Sequence, residues 1–186
     1  PIKIVNFSGQ LSGKKKGSGK ATIAVVAHYD TLASVPELTN GLTSTGSSVI
    51  GLLEIARLFK ILYSSASTKG NYDILFVLTG AGRLGYEGSK HWLKNLEPSI
   101  RNSIQFVLCL ENIAGEGLNV HIPQKTSDEN VVRLFKELTQ TAKQIGVALQ
   151  FSQRTPSTKE ATWEHEVYNR KRIQAATISS YLKPEA

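Results

Sequence analysis

Cysteine, methionine and long apolar runs are scarce or missing in this 186-residue chain. Cys109 is the single cysteine, so the chain cannot form an internal disulfide bond, and its place in the apolar run 106–110 predicts a buried, inert thiol. No apolar run approaches the roughly 20 residues that a membrane-spanning helix needs. The chain has neither an initiator methionine nor a signal-peptide pattern. We therefore expect a piece of a longer protein, with any targeting or membrane segment outside these residues.

Acidic residues are also in deficit, with 15 Asp and Glu against 22 Lys and Arg, which gives a net charge of +7. Much of the excess lies in two clusters, residues 14–16 with Lys20 and residues 170–172. The first cluster is in a loop rich in glycine and serine, which is typical of a solvated hairpin tip. Charge runs of this kind are more often solvated faces than nucleic-acid sites, so we predict no specific nucleic-acid binding.

Apolar and amphipathic segments alternate and predict one α/β domain over residues 1–186. The apolar runs 22–27, 74–78, 104–110 and 175–179 predict buried strands, and weaker patterns predict strands at 2–7, 118–122 (at the sheet edge) and 147–151. Helical spacing predicts helices over 46–64, 86–96 and 131–145, the last capped by Ser127 with Asn130, and a helical segment within 160–172. The order indicates three layers, α/β/α, around a largely parallel, mixed sheet.

A glycine-rich loop follows the predicted strand 74–78 and leads into a helix, as phosphate-binding loops do. Its glycines at 80, 82 and 85 fit neither the G-x-G-x-x-G nor the G-x-x-x-x-G-K-[ST] spacing. Nucleotide binding at this loop is therefore not predicted.

Polar side chains stand directly after two of the buried strands. His28 and Asp30 follow the strand 22–27, and Glu111 follows the strand 104–110. Open α/β sheets bind ligands outside the carboxyl ends of their strands, so these residues mark the candidate site. Separately, Asn6 begins an Asn-Phe-Ser glycosylation sequence, which has meaning only in a lumenal or extracellular domain.

The order of these features resembles that of the zinc aminopeptidases that bind a pair of metal ions. The shared features are a strand ending in H-x-D, a small-residue turn into a helix, a glycine-rich turn after the next strand, and a strand ending in an acid. In that family the glycine-rich turn reads G-E-E-x-G-L-x-G-S, and residues 81–89 here read AGRLGYEGS. The match covers nearly the whole chain and implies a zinc aminopeptidase-like fold.

The resemblance also implies a role for each matching position, and most of the required side chains are replaced. His28 matches a zinc-binding histidine, Asp30 the acid that orients it, and Glu111 an aspartate ligand. The replaced positions are the acids of the metal-bridging turn (Thr43 and Ser44), the general base (Gly82), a glutamate ligand (Arg83) and the last histidine ligand (Ser180). A catalytic zinc pair needs ligands on both ions and a carboxylate that accepts a proton from water. We therefore predict an inactive domain with no catalytic residue, no metal and no cofactor.

Several alternatives remain open from the sequence. His165 matches the family's S-D-H segment, and with His28 and Glu111 it would complete a rearranged site in an active zinc aminopeptidase. Ser44, His28 and Asp30 would form a hydrolytic triad, although Ser44 lacks a nucleophile elbow. Arg83 and the loop amides would bind an anion at the old metal position. In the purely structural interpretation, His28 and Asp30 form a hydrogen-bonded pair inherited from the ancestral site.

Within this family the chain resembles the nicastrin-related branch, whose members keep the fold without its catalytic residues. The segments AVVAHYD, GLLEIARLFKILY, FVLTGAGRLGYEGSKHWL and FVLCLEN carry this resemblance. It implies a lumenal domain of an endoplasmic-reticulum membrane protein whose spanning helix lies outside this fragment. The implied role is scaffolding in a translocon-associated complex for multipass membrane-protein biogenesis and receptor assembly. The implied partners are a nodal modulator protein and a small multipass subunit, and in the lumen Asn6 becomes a glycosylation candidate.

Overall fold

The apolar runs of the sequence form the strands of one mixed sheet. The computed structural model describes residues 3–15, 17, 20–31, 41, 45–123, 128–155 and 160–184. Its elements are β1 (Phe7–Leu11), β2 (Thr22–His28), α1 (Ser47–Ser64), β3 (Asp73–Thr79), α2 (Glu87–Asn95), α3 (Pro98–Ser103), β4 (Ile104–Leu110), β5 (Gly117–Ile122), α4 (Glu129–Gln144), β6 (Ala148–Gln153), α5 (Glu164–Asn169) and β7 (Ala175–Ser179). Among these residues, no helix is both long and apolar enough to cross a bilayer.

Seven strands of the described part pair in the order β1-β3-β2-β4-β7-β5-β6. Strands β3, β2, β4 and β7 run parallel to one another. The edge strand β1 is antiparallel to β3, and β5 is antiparallel to β7 with β6 parallel to β5. The carboxyl ends of the four central parallel strands therefore meet at one edge of the sheet, which we call the carboxyl edge.

Helices cover both faces of the sheet, which confirms the predicted three layers. On one face, α2, α3 and α5 pack over a core that includes Val26, Val77 and Tyr168. On the opposite face, α1 packs over the core around Val25, and α4 packs over the neighbouring strands β4, β5 and β7. Adjacent residues of β2 thus face opposite helix layers, as the two-residue period of a strand requires, and this explains why the whole strand is apolar.

Several boundaries differ from the sequence prediction because tertiary pairing decides them. The first strand is Phe7–Leu11, not 2–7, since this register pairs it with β3. Because β1 pairs with β3 and not with β2, the lysine-rich loop between β1 and β2 is not a hairpin tip. Strand β5 lies between β7 and β6 instead of at the edge. Helix α3, which begins with Pro98, was not predicted.

The cap of α4 is also different from the predicted one. The side chain of Asp128 accepts hydrogen bonds from the backbone N–H groups of Asn130 and Val131, which is the usual geometry of a helix N-cap. Ser127, the predicted cap, lies outside the described residues. Asn130 contributes only its backbone N–H to the observed cap.

Candidate functional site

The residues singled out by the sequence meet at the carboxyl edge of the sheet. His28 is the last residue of β2, Thr79 is the last residue of β3, Glu111 follows β4 and Ser180 follows β7. His28 and Glu111 are almost completely buried, with 1% and 4% of their surfaces exposed. Thr43 and Ser44, which match the family's bridging turn, lie outside the described residues.

Asp30 holds the glycine-rich loop in place. Its Oδ1 accepts a hydrogen bond from the backbone N–H of Gly82 at 2.7 Å, and its Oδ2 accepts one from the N–H of Arg83 at 3.3 Å. Neither ring nitrogen of His28 has a hydrogen-bond partner among the described residues. The interpretation of His28 and Asp30 as a hydrogen-bonded pair is therefore wrong, and a triad that includes Ser44 lacks its histidine–aspartate bond.

The imidazole of His28 lies directly against Gly82. A Cβ atom at position 82 would lie 2.5 Å from Cβ of His28, 2.6 Å from its Cδ2 and closer still to its Cγ. Real Cβ atoms do not approach other atoms this closely, so position 82 accepts only glycine while His28 keeps its place. The space that a side chain at position 82 would need is thus filled by the histidine ring.

Glu164 is the principal residue of this cluster that sequence reasoning missed. It is completely buried, and its Oε1 accepts hydrogen bonds from the hydroxyl groups of Thr79, at 3.1 Å, and Ser89. Its Oε2 lies 3.9 Å from Nδ1 of His28, an ion-pair distance without a hydrogen bond. The sequence signal for Glu164 was the segment Trp-Glu-His-Glu at residues 163–166, just before a buried strand. In the structure Glu164, and not His165, faces His28.

The environment of His28 favours its charged form. Burial alone would lower the pKa of His28, because it disfavours the imidazolium. The attraction of Glu164, with smaller contributions from Glu111 and Asp30, outweighs burial and raises the pKa above its ordinary value. His28 and Glu164 therefore form a buried pair of opposite charge behind the carboxyl edge.

Glu111 has its carboxyl group between several partners. The hydroxyl group of Tyr86 donates to Oε2 of Glu111 at 3.1 Å, with Oε1 and the carbonyl oxygen of Thr162 as longer alternatives. Burial raises the pKa of Glu111 to about 7, against the opposing attractions of His28, Tyr86 and Arg83. Because the charge of Arg83 already acts on this internal carboxylate, the alternative in which Arg83 binds an external anion gains no support.

Replacing Glu111 with glutamine is expected to change how stability depends on pH. The folded-state pKa of about 7 lies above that of an exposed glutamate, so the native state holds a proton that the unfolded chain has released. Between the pKa of an exposed glutamate and about 7, a rise in pH therefore lowers the free energy of unfolding through Glu111, by up to about 1.4 kcal/mol per pH unit. In urea denaturation, the free energy of unfolding of E111Q should increase relative to that of wild type as the pH is raised from 5 to 8. Parallel profiles would contradict this, and E116Q, at an exposed glutamate, is the control.

His165 does not take the part proposed for it in a rearranged metal site. Its Nδ1 lies 2.8 Å from Oγ1 of Thr177. Burial lowers the pKa of His165 to about 3, with a further contribution from His121. No three His, Cys, Asp or Glu side chains of the described residues are grouped so that they could hold one metal ion. The predicted grouping of His28, Glu111 and His165 is thus not formed.

Two further residues singled out from the sequence, Cys109 and Ser180, have structural roles. Cys109 is buried as predicted, and burial raises the pKa of its thiol well above the ordinary value, which disfavours the reactive thiolate. The backbone N–H of Ser180 donates to the carbonyl oxygen of Asn112 at 2.8 Å, so this residue joins the ends of β4 and β7. Its side chain packs against Gly115, where an added Cβ would clash.

The zinc pair that the fold family implies does not fit these residues. Among the described residues, no three His, Cys, Asp or Glu side chains are placed to hold one metal ion. His28 is engaged by the charge of Glu164, and the positive charge of Arg83 acts on Glu111 from the position of a family ligand. A positive charge that already acts on a possible metal ligand opposes metal binding there.

Strained backbone nevertheless persists around the site. Ala81, Tyr86 and Asn112 all have positive φ angles, of 54°, 60° and 46°, although none of them is glycine. Such conformations cost roughly 1–3 kcal/mol each and concentrate at functional sites. Three such residues thus lie close to the carboxyl-edge cluster, on the glycine-rich loop and after β4.

Asn6 has a structural role that the glycosylation sequence does not reveal. Its Oδ1 accepts a hydrogen bond from the N–H of Gly80, and its Nδ2 donates to the carbonyl oxygen of Gly88, both at 3.0 Å. The side chain therefore joins the two ends of the glycine-rich loop. Nδ2 is also the atom that would carry a glycan. After glycosylation its one remaining hydrogen would have to be donated to the carbonyl oxygen of Gly88 for this bond to persist.

Asn6 and Ser8 allow these two roles to be separated. In protein made without glycosylation, N6A should lose about 1–3 kcal/mol of unfolding free energy, because it leaves two loop groups unpaired. S8A destroys the glycosylation sequence without touching these bonds and should change stability by about 0.5 kcal/mol at most. Equal losses in urea denaturation would refute the structural role. In protein secreted through the endoplasmic reticulum, loss of a glycosidase-sensitive mobility shift in S8A would identify a glycan on Asn6.

Comparison with known proteins agrees with this description. A family model described as peptidase family M28 matches residues 6–185. BOS complex subunit ncln of Danio rerio is 36% identical over 188 residues, which are 95% of this chain and 32% of that protein. The human BOS complex subunit NCLN is 34% identical over 95% of this chain and 33% of its own length, and nicalin of Caenorhabditis elegans is 30% identical over 98% and 36%. The chain spans about a third of the length of these curated relatives.

Solved structures share the fold at lower sequence identity. A zinc aminopeptidase from Bacillus subtilis superposes with a TM-score of 0.71 at 22% identity, over 94% of this chain and 39% of that one. A glutaminyl cyclase from Tannerella forsythia gives 0.65 at 18% identity, over 97% and 65%. At these identities the likeness concerns the fold alone. The match along nearly the whole sequence, the nicalin relatives and the sheet with its carboxyl-edge cluster lead to one conclusion: the chain belongs to peptidase family M28.

Proposed function

We propose that this chain is a catalytically inactive, peptidase-like domain that serves as a scaffold subunit of an endoplasmic-reticulum membrane complex, with the domain in the lumen. The complex would act in multipass membrane-protein biogenesis and in receptor assembly. The proposed partners are a nodal modulator protein and a small multipass subunit, following the family resemblance. The relatives named as BOS complex subunits support membership of a multi-subunit assembly.

The packing of His28 on Gly82 is the observation that carries the inactive part of the proposal. Water activation in a metallopeptidase requires a carboxylate close to the metal-bound water. Here the matching position has no side chain, and the ring of His28 fills its space. The neighbouring ligand position carries Arg83, whose positive charge lowers the pKa of Glu111 to a small extent. The cluster therefore stabilises the ends of the strands, and we assign function to the surface of the domain.

Purification of the tagged full-length protein from solubilised membranes tests the scaffold role. We expect a stable complex that contains the two proposed partners, and protease protection of this domain in sealed microsomes. A full-length protein recovered alone, or a domain digested from the cytosolic side, would overturn the proposal.

A zinc-supplemented peptidase assay tests the absence of catalysis. The purified chain should not hydrolyse aminoacyl p-nitroanilides above the background given by H28A. The contrary result, hydrolysis proportional to bound zinc and abolished in H28A, would instead support the active aminopeptidase considered from the sequence.

A further inference from the structure

A cavity with an apolar floor and a cationic rim lies on the α2–α5 face of the domain, and its described lining includes no residue of the carboxyl-edge cluster. Its volume is about 390 Å³, and we call it the basic cavity. The floor is formed by Leu93, Ala161 and Val167. This size lies within the range of small-molecule sites, which combine apolar walls with a few polar groups.

The rim brings together positive charges from three separate segments of the chain. Its five cationic side chains are Lys90 and Lys94 of α2, Arg101 of α3, and Arg170 and Lys171 after α5. No acidic residue is among the described residues that line it. The basic cluster at residues 170–172, which the sequence left without a role, thus contributes to a larger grouping.

Most of this rim charge is not neutralised by the chain itself. Lys90 pairs with Glu87 at 2.7 Å, and Arg170 pairs with Glu166 at 3.5 Å. Lys94, Arg101 and Lys171 have no ion pair within the described part of the structure. Like charges one helical turn apart, as at Lys90 and Lys94, repel each other. Their convergence on one cavity leaves an attraction for an anion.

We propose that the basic cavity binds a phosphate group attached to an apolar body. Arginine presents planar, forked donors that suit phosphate oxygens, and lysine supplies further positive charge. The apolar floor accommodates the rest of the ligand, which distinguishes the cavity from a simple cationic surface. An anionic phospholipid and a soluble organic phosphate share this chemistry. The site is independent of the proposed scaffold role.

Calorimetric titration of the purified chain with hexyl phosphate tests the proposal, with inorganic phosphate and hexanol as partial ligands. We expect hexyl phosphate to bind more tightly than either. The double variant K94E/R101E should weaken its binding by roughly tenfold or more. The matched variant K136E/K143E, on exposed positions of α4 across the sheet, has the same net charge and should stay within about twofold. A161L, which adds volume to the floor at unchanged charge, should also weaken binding.

The outcomes separate a built site from general electrostatic attraction. Equal losses in the two double variants, inorganic phosphate binding as tightly as hexyl phosphate, or no binding of hexyl phosphate would each overturn the proposal. Sedimentation with phosphatidylcholine vesicles that contain phosphatidic acid then identifies the source of the phosphate. Vesicle binding that is lost in K94E/R101E indicates a lipid headgroup, whereas binding of hexyl phosphate without vesicle binding indicates a soluble ligand.

Discussion

Replacing Gly82 with glutamate is expected to destabilise the domain by more than about 3 kcal/mol or to prevent folding. Glutamate is the residue that the family resemblance implies for this position in active relatives. Overpacking of a well-packed site usually costs about 1–3 kcal/mol. Here even the Cβ atom would overlap His28, and the remaining side chain adds a buried carboxylate. The smaller change G82A should already cost about 2–3 kcal/mol in urea denaturation.

A double-mutant cycle with His28 identifies the cause of this loss. In an H28A background the clash is removed, so G82A should cost at least about 1.5 kcal/mol less than in wild type. Gly9 provides a matched control, because an added Cβ there meets no atom within 4 Å, and G9A should not destabilise. Equal costs of G82A in both backgrounds would show that His28 is not the obstacle. A cost relieved by H28A would mean that no side chain can be introduced at position 82 unless His28 is replaced as well.

Truncation of Glu164 to alanine is expected to cost about 3–5 kcal/mol of unfolding free energy, the usual effect of breaking a buried ion pair. The variant leaves the hydroxyl groups of Thr79 and Ser89 without their acceptor and leaves His28 without its negative partner. E164Q keeps a carbonyl acceptor for the two hydroxyls and should lose less. Both variants remove the strongest influence that raises the pKa of His28, so its pKa should fall relative to wild type.

Proton NMR titration of His28 distinguishes this electrostatic role from a purely structural one. The control is E166Q, because Glu166 is similarly buried on the same helix but pairs with Thr162 and Arg170. E166Q should leave the pKa of His28 unchanged. An unchanged pKa of His28 in E164Q would show that Glu164 is not its charge partner.

The strands at the centre of the sheet were predictable because burial on both faces leaves a direct record in the sequence. The runs 104–110 and 175–179 were predicted with the bounds that the structure has. The register of β1 was not predictable, since residues 2–11 are only weakly apolar and the pairing with β3 selects Phe7–Leu11. Helix α3 is too short for periodicity to reveal, and its Pro98 at the first turn also fits a loop.

The sequence allowed a residue to be assigned to the site only where that residue directly follows a predicted strand. His28 and Glu111 follow buried strands, and the structure places both at the carboxyl edge. Glu164 lies on α5, a separate helix. The residue at which this helix begins decides whether Glu164 or His165 faces His28. Asp30 was placed correctly on the loop, but its bonds to Gly82 and Arg83 depend on how two loops meet in space. Such contacts leave no periodic trace in the sequence.

The position of β7 has a consequence for how the chain acquires its structure during synthesis. Of the seven described strands this one comes last in the sequence, yet it lies in the interior of the sheet between β4 and β5. Until residues 175–179 emerge, β1–β4 and β5–β6 are two partial sheets that each expose an apolar edge. Formation of the complete sheet must therefore wait for the end of this segment, and such late, long-range pairing is slow and leaves nascent chains prone to aggregation. A ribosome stalled shortly before β7 should hold a chain that depends on chaperones.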